Sequence, residues 1–276
     1  MSELVFFSAD DGVHGDELWV TDGTSAGTRM VRDIDPGEAN SFPSSFAALS
    51  DSRVIFRADG ELWVSDGTEA GTAPLMAASA GGPTIVSWIT PMGDGRFVFS
   101  ASSSSAGQEL WVTDGTTAGT TMLRDIRTGT NPESDAPLSG TPSNFIALPN
   151  GSVVFSADDG VHGREPWITN GTTAGTKLLS DIQNGPTGSL DSLYSWMELL
   201  PNGKVLLAVD DGVSGLEPWV TDGTASGTQQ LRDINPGDGD GFYDFVGAMP
   251  DGRYLFSPTE ESGEYMRSWL TDGTPE

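Results

Sequence analysis

Three clusters of carboxylates recur along the chain, each with the pattern Asp-Asp-Gly-x-x-Gly-x-Glu. Their acidic residues are Asp10, Asp11, Glu17, Asp158, Asp159, Glu165, Asp210, Asp211 and Glu217. Carboxylates and turn carbonyls this close in sequence could supply the oxygen ligands that Ca²⁺ takes at about 2.3–2.6 Å. The sequence requires no cofactor, and Ca²⁺ in these loops is the metal hypothesis that it permits.

Turn chemistry offers a simpler explanation of the same clusters. Their spacing lacks the alternating aspartates of an EF-hand, and Asp-Gly is a common turn dipeptide. The glutamate persists as Glu61 in a copy where the loop has shrunk to Asp59-Gly60. We therefore expect the glutamate to serve strand pairing or a local hydrogen bond, and calcium binding stays open beside this interpretation.

Other groups that could perform catalysis are few. The chain has no cysteine, and His14 and His162 hold the same position in two copies of one loop. No serine elbow or pair of nucleophile and base is visible. Carboxylate pairs would permit glycoside hydrolysis by residue type, although a catalytic pair should break the symmetry of the repeats. The candidates found in one copy only are Glu198, Asp240, Tyr243 and Asp244.

These residues are positioned by a repeat that covers nearly the whole chain. The motif E-L-W-V-T-D-G-T-x-A-G-T recurs six times with variations, and its tryptophans are Trp19, Trp63, Trp111, Trp167, Trp219 and Trp269. Each unit of 44–56 residues contains four short runs rich in β-branched and aromatic residues. Gly, Asn, Asp or Pro bounds each run, which indicates four strands, named A to D here.

Such a period predicts an all-β fold, a β-propeller of four-stranded blades. Residues 1–276 are expected to form one domain of about five and a half repeats. Strands B and C occur six times and strands D and A five times, which gives 22 strands. Six blades, with three-stranded first and last blades, are favoured, and five blades are the alternative. The Asp59-Gly60 connection predicts that strands B and C are antiparallel neighbours.

The motif tryptophans are expected to pack between blades as structural residues, because tryptophan buries a large apolar area. Trp88 and Trp196 align with Phe46, Phe145 and Phe245 in strand A and are expected to be core too. The Asp-Gly-Thr-x-Ala-Gly-Thr turn is expected to use its Asp and Thr oxygens to accept hydrogen bonds from free backbone N–H groups.

The charge of the chain restricts its partners. Thirteen basic and forty acidic residues give a formal net charge of −27, which disfavours nucleic acid and anionic membranes and permits cationic partners. No run of eighteen apolar residues that would insert into a membrane is present, and no signal peptide is visible.

The motif from Glu17 to Thr28 and its copies resemble the bacterial ELWxxDGT repeat family, and the resemblance covers essentially all of the chain. Departures are local: Asn170 replaces the motif Asp, Pro166 and Pro218 replace Leu, and the last copy reads Arg267-Ser-Trp. The resemblance implies a β-propeller-like array of a bacterial surface or extracellular protein, with no established catalytic activity.

These observations favour a non-enzymatic structural or interaction module of a bacterial surface or extracellular assembly, which binds a protein partner. A lectin-like propeller that binds glycans is one alternative, and a glycan-active enzyme is another. The D-to-A connections differ most between repeats, and residues 127–141 form the longest. Partner specificity is therefore expected in these connections.

Overall fold

The computed structural model of the chain describes residues 4–77, 81–191, 196–242, 244–257 and 268–274. Its regular structure in these ranges consists of β-strands. The described part of the chain therefore offers no helix with the length and apolarity needed to span a bilayer. The chain divides into two compact units, Met1–Ser139 and Gly140–Glu276.

The first unit contains three antiparallel sheets. Its strands are β1 (Val5–Asp10), β2 (Asp16–Thr21), β3 (Arg29–Arg32), β4 (Ser44–Ala48), β5 (Val54–Ala58), β6 (Glu61–Ser65), β7 (Ala73–Pro74), β8 (Thr84–Pro91), β9 (Phe97–Ser103), β10 (Gly107–Thr113) and β11 (Thr121–Arg124). The sheet orders are β1-β2-β3, β4-β5-β6-β7 and β8-β9-β10-β11.

The second unit repeats this arrangement. Its strands are β12 (Ser143–Ala147), β13 (Val153–Asp158), β14 (Arg164–Thr169), β15 (Lys177–Leu178), β16 (Trp196–Leu199), β17 (Val205–Asp210), β18 (Leu216–Thr221), β19 (Gln229–Gln230), β20 (Asp244–Ala248), β21 (Tyr254–Ser257) and β22 (Trp269–Thr271). The sheet orders are β12-β13-β14-β15, β16-β17-β18-β19 and β20-β21-β22. The predicted all-β fold is confirmed, with six antiparallel sheets and three described strands in the first and the last.

Short glycine turns set the register of the strands. Asp59 and Gly60 have φ angles of +49° and +75°, the left-handed conformation that a two-residue hairpin requires, and they join β5 directly to β6. Gly151 has φ +83° in the turn between β12 and β13. The predicted pairing of strands B and C is confirmed in every sheet.

The cores lie between neighbouring sheets of each unit. In the first unit Leu18 packs in one cluster with Phe56 and Trp63, and the next cluster contains Phe99 and Trp111. The side chains of both faces are buried, so these strands are almost continuously apolar rather than alternating. Burial of such side chains contributes about 1.5–3 kcal/mol each and holds the sheets face to face.

The motif tryptophans lie on strand C of each sheet, opposite a residue of strand B. Phe155 and Trp167 are register partners, and their ring centroids are 6.4 Å apart. Trp63, Trp111 and Trp167 are buried, with 7%, 5% and 3% of their surface exposed. The tryptophans that are half-buried are Trp19, Trp219 and Trp269.

Trp88 does not occupy the core position expected for it. The register places Thr90 opposite Val98, as Ala47 lies opposite Ile55, so Ile89 rather than Trp88 corresponds to Phe46. Strand β8 shifts register at two points, and Trp88 is 46% exposed. The expectation that Trp88 is core is therefore wrong, because Trp88 holds the position of Ser45, at the register shift that β8 shares with β4.

Candidate functional site

The glutamate of the motif ties the connection that leaves strand D back onto strand C. The Glu17 carboxylate is fully buried and accepts hydrogen bonds from the backbone N–H of Ile34 at 2.8 Å and of Asp35 at 3.2 Å. The Ser41 hydroxyl donates to it at 2.7 Å. These bonds satisfy the buried charge and fix the start of the next strand A, so Glu17 has the local hydrogen-bonding role.

Glu165 repeats this arrangement, whereas Glu217 departs from it. The Ser189 hydroxyl donates to Glu165 at 2.6 Å, and Gly241 stands at the corresponding position near Glu217. Burial raises the pKa of both carboxyls, and that of Glu217 rises to about 7. The carboxylates of Asp233 and Asp240 add to the shift at Glu217, while backbone donors oppose it.

The aspartates of the long loops are engaged in turns. One oxygen of Asp11 accepts the backbone N–H groups of Val13 and His14 at 2.9 Å each, and the other is 2.8 Å from His14 Nδ1. These bonds lower the pKa of Asp11 to about 2, with the histidine side chain as the largest cause. Asp159 with His162 repeats the geometry.

The structure separates the two halves of each acidic cluster. The remaining aspartates, Asp10, Asp158 and Asp210, each accept the N–H of the loop glycine two residues later. Asp211 accepts the backbone and hydroxyl of Ser214 instead of a histidine. Among the described residues, no group of three or more His, Asp or Glu side chains could hold a metal ion. Calcium binding in these loops stays a prediction.

An exposed apolar surface in the first unit is the feature that breaks the repeat. It consists of Phe42, Ile85 and Trp88, which are 61%, 61% and 46% exposed, and we name it the Phe42–Trp88 surface. The Asp59-Gly60 turn is hydrogen-bonded to the chain on both sides of this surface. On the side of Phe42, Asp59 N–H donates to Ser41 O at 2.7 Å, and on the side of Ile85, Val86 N–H donates to Gly60 O at 3.1 Å. The surface therefore flanks a short turn that carries an exposed acidic side chain.

The backbone under this surface is strained. Phe42, Ile85 and Trp88 have φ angles of +49°, +52° and +59°. A positive φ is uncommon for any residue but glycine and is an outlier for a β-branched residue such as Ile85. Residues held in such conformations cost about 1–3 kcal/mol each and cluster at functional sites.

The same backbone feature recurs with two polar side chains in one repeat of the second unit, at Thr141 and Asn144. The pairs with positive φ are Phe42 and Ser45, Ile85 and Trp88, and Thr141 and Asn144. In the second unit Arg164 Nη1 donates to Thr141 O at 3.0 Å and covers that position. The short Asp59-Gly60 turn supplies no such side chain beside Phe42, which explains the exposure of Phe42. The sequence motifs do not indicate this surface. One signal is present: Ile89, Phe46 and Phe145 lie equally far before strand B, and this spacing excludes Trp88 from the core position.

No protein-family model matches the chain, and no curated protein matches it in sequence. Among solved structures, it is similar to dipeptidyl peptidase 4 of Porphyromonas gingivalis, with a TM-score of 0.56 and 9% identity over 97% of this chain and 42% of that chain. A puromycin hydrolase complexed with PGG gives a TM-score of 0.51 and 15% identity over 99% of this chain and 44% of that chain. An oligogalacturonate lyase in complex with manganese gives a TM-score of 0.50 and 11% identity over 95% of this chain and 69% of that chain.

These similarities show the fold, and the chain spans less than half the length of the first two structures. The expectation of a non-enzymatic structural or interaction module is contradicted, because the structural neighbours are enzymes. The near-symmetry of the repeats had favoured that expectation. One fold can carry many functions, so the symmetry of the repeats does not argue against an enzyme.

Proposed function

We propose that the chain is the β-propeller unit of an enzyme that acts on peptides or peptide-like amides, and that the Phe42–Trp88 surface binds the substrate. The observation that carries the proposal is an exposed aromatic and aliphatic group on strained backbone, at positions where the repeat that begins with β12 has the polar residues Thr141 and Asn144. The aspartate of the adjacent turn, Asp59, is exposed.

The chemistry of this surface favours a ligand with an apolar side chain and a positive charge. Aromatic side chains bind apolar groups through their large contact area. Single exposed apolar residues are common on protein surfaces, whereas a group of them marks a binding site. The net charge of −27 attracts cations, and a peptide with a free amino terminus carries one. The dipeptidyl peptidase and the puromycin hydrolase support this class of substrate through the shared fold.

Binding of short peptides tests the proposal. We expect the amide of the dipeptide Phe-Phe with a free amino terminus to bind more tightly than its N-acetylated form, as measured by isothermal titration calorimetry at low salt. Trp88→Ser and Phe42→Thr introduce residues found at corresponding positions, 45 and 141, and should fold normally. Each is expected to weaken binding about tenfold, which corresponds to about 1.4 kcal/mol.

Val161→Ser is the matched control, because Val161 is a 64% exposed apolar residue on a long loop of another repeat. It should leave the affinity unchanged. Equal affinity of the Trp88→Ser variant and the parent protein, or no preference for the free amino terminus, would refute the proposal. Release of amine from the same peptides, followed over time, measures whether the chain also performs hydrolysis.

The finer architectural and family assignments are proposals of the same kind. We propose that the six sheets are the six blades of one closed propeller and that the chain belongs to the ELWxxDGT repeat family at a bacterial surface or outside the cell. The six sheets and the twelve-residue motif support this. Small-angle X-ray scattering of the whole chain distinguishes a closed ring from an open array.

A further inference from the structure

The turn beside the Phe42–Trp88 surface is shorter than its counterparts in three other sheets. Two residues, Asp59 and Gly60, join β5 to β6, whereas five residues join β1 to β2, β13 to β14 and β17 to β18. The short turn also touches the strand that carries Ile85, because a Cβ built on Gly60 would lie 3.8 Å from the Ile85 backbone nitrogen. The turn and the apolar side chains therefore belong to one continuous patch of the first unit.

The carboxylate of Asp59 is free to bind an external donor. In the long loops, Asp11 and Asp159 each accept hydrogen bonds from their own backbone and from a histidine. Among the described residues, the Asp59 side chain accepts no hydrogen bond and makes no ion pair, and it is exposed. An ionised carboxylate offers two acceptor oxygens, so those of Asp59 are available to a ligand.

The backbone holds this carboxylate in one place. Asp59 has a φ angle of +49°, and its N–H donates to Ser41 O at 2.7 Å. Aspartate is among the residues that tolerate this left-handed conformation. A group carried by a hydrogen-bonded turn loses little freedom when a ligand binds to it, which favours affinity.

We propose that the Asp59 carboxylate binds the α-ammonium group of a peptide whose first side chains lie on the Phe42–Trp88 surface. This inference rests on the proposed function and adds to it the group that recognises the amino terminus. An ammonium group has three N–H donors, and its hydrogen bonds to a carboxylate are stronger than those between neutral groups. The site thus takes peptides with an unblocked amino-terminal end, and Asp59 fixes the direction in which they lie.

The variant Asp59→Asn tests this assignment. Asn-Gly is a preferred dipeptide of two-residue hairpins, so the variant keeps the turn and loses the charge. Binding of Phe-Phe amide and of its N-acetylated form is measured by isothermal titration calorimetry at low salt. We expect the parent protein to bind the free amine about fivefold more tightly, and Asp59→Asn to bind the two peptides equally. Circular dichroism verifies that the variant is folded.

Asp135→Asn is the matched control, because Asp135 is an exposed aspartate of the same unit with a φ angle of +55°. It removes the same charge and should keep the fivefold preference. Trp88→Ser should weaken binding of both peptides by the same factor. If Asp59→Asn keeps the preference of the parent, the inference is overturned while the proposed function stands.

A third peptide, N-acetyl-Phe-Phe-Lys amide, carries its positive charge at the other end. We expect it to bind no more tightly than N-acetyl-Phe-Phe amide. If it binds the parent as tightly as Phe-Phe amide and loses this affinity in Asp59→Asn, then Asp59 binds any cation, and the assignment to the amino terminus is wrong. A parent protein that binds none of these peptides refutes the proposed function and this inference together.

Discussion

The carboxyl of Glu217 accepts fewer hydrogen bonds than those of Glu17 and Glu165. All three are fully buried and accept two backbone N–H groups after strand D, but a serine hydroxyl is added only at Glu17 and Glu165. Burial raises the pKa of Glu217 to about 7, and the nearby carboxylates of Asp233 and Asp240 add to this shift.

The stability of the protein should therefore fall between pH 5 and pH 8. The folded state holds a proton on Glu217 up to about pH 7, whereas the unfolded chain releases it near 4.5, so unfolding becomes easier as pH rises through this window. Glu217→Gln removes the titrating group. The free energy of unfolding should then fall by about 1–2 kcal/mol less from pH 5 to pH 8 than in the parent protein, measured by urea denaturation at pH 5 and at pH 8.

The exposed Glu69 provides the control for this titration. Glu69→Gln should leave the slope of stability against pH unchanged. The raised pKa of His14 and of His162, each beside an aspartate, acts in the same direction and remains in both variants. If the parent and Glu217→Gln lose the same stability from pH 5 to pH 8, the assignment to Glu217 is wrong.

The role of the motif glutamate was predictable in kind but not in detail. Its presence as Glu61 beside a two-residue loop indicated a local hydrogen bond instead of a metal ligand. The sequence did not reveal which groups donate to Glu17, because these donors lie 17 to 24 residues later in a connection of variable length. Only the fold brings that connection onto strand C.

At the scale of elements, the turn between strands C and D is the most uniform part of the repeat. The Asp22 Oδ1 accepts the backbone N–H and the hydroxyl of Thr24 at 3.0 and 2.7 Å, and the Thr24 hydroxyl accepts the N–H of Gly27 at 3.0 Å. Asn170 accepts the same bonds from Thr172, which explains why the motif tolerates asparagine. The predicted use of Asp and Thr oxygens in this turn is confirmed.

The second glycine of the turn is required for space. A Cβ added at Gly175 would overlap the side chain of Asn170, the residue that organises the turn. We expect Gly175→Ala to lower the free energy of unfolding by about 1–3 kcal/mol, since the crowded side chain must move or lose its bonds. Guanidinium denaturation of this variant and of Ala174→Ser, a change at the exposed neighbouring residue, measures the difference.

Ala174→Ser should change stability by less than about 0.5 kcal/mol. A Gly175→Ala variant as stable as the parent would show that the turn can rearrange. This turn was predictable because all its bonds are local. The two register shifts of strand β8 were not predictable, because they depend on how the strand meets β9, although the spacing of Ile89 from strand B excluded Trp88 from the core position.

At the scale of the whole molecule, the charge of −27 should destabilise the folded state at low salt. The screening length falls from about 30 Å at 0.01 M to about 8 Å at 0.15 M salt, so repulsion between carboxylates weakens. We expect the Tm to rise by about 2–5 °C over this range in NaCl, measured by scanning calorimetry. A Tm that stays constant or falls would show that self-repulsion does not limit stability.

The same experiment with divalent salts decides the calcium prediction. CaCl₂ and MgCl₂ at equal ionic strength should raise the Tm equally if they only screen charge. A larger rise in Tm with Ca²⁺ than with Mg²⁺ that disappears in Asp159→Asn would support a specific site, because asparagine keeps the turn bonds and loses the charge.

The number of sheets and their order were predictable from the repeat, whereas the exposed apolar surface required the register of each strand.

The exposure of Trp88 also gives the protein a natural optical reporter. Indole emission shifts to longer wavelengths in water, and Trp88 is 46% exposed while Trp63, Trp111 and Trp167 are at most 7% exposed. A neutral collisional quencher such as acrylamide should therefore reach Trp88 far more readily than these buried rings. A ligand bound to this indole would shield it, so ligand occupancy becomes visible in the unlabelled molecule.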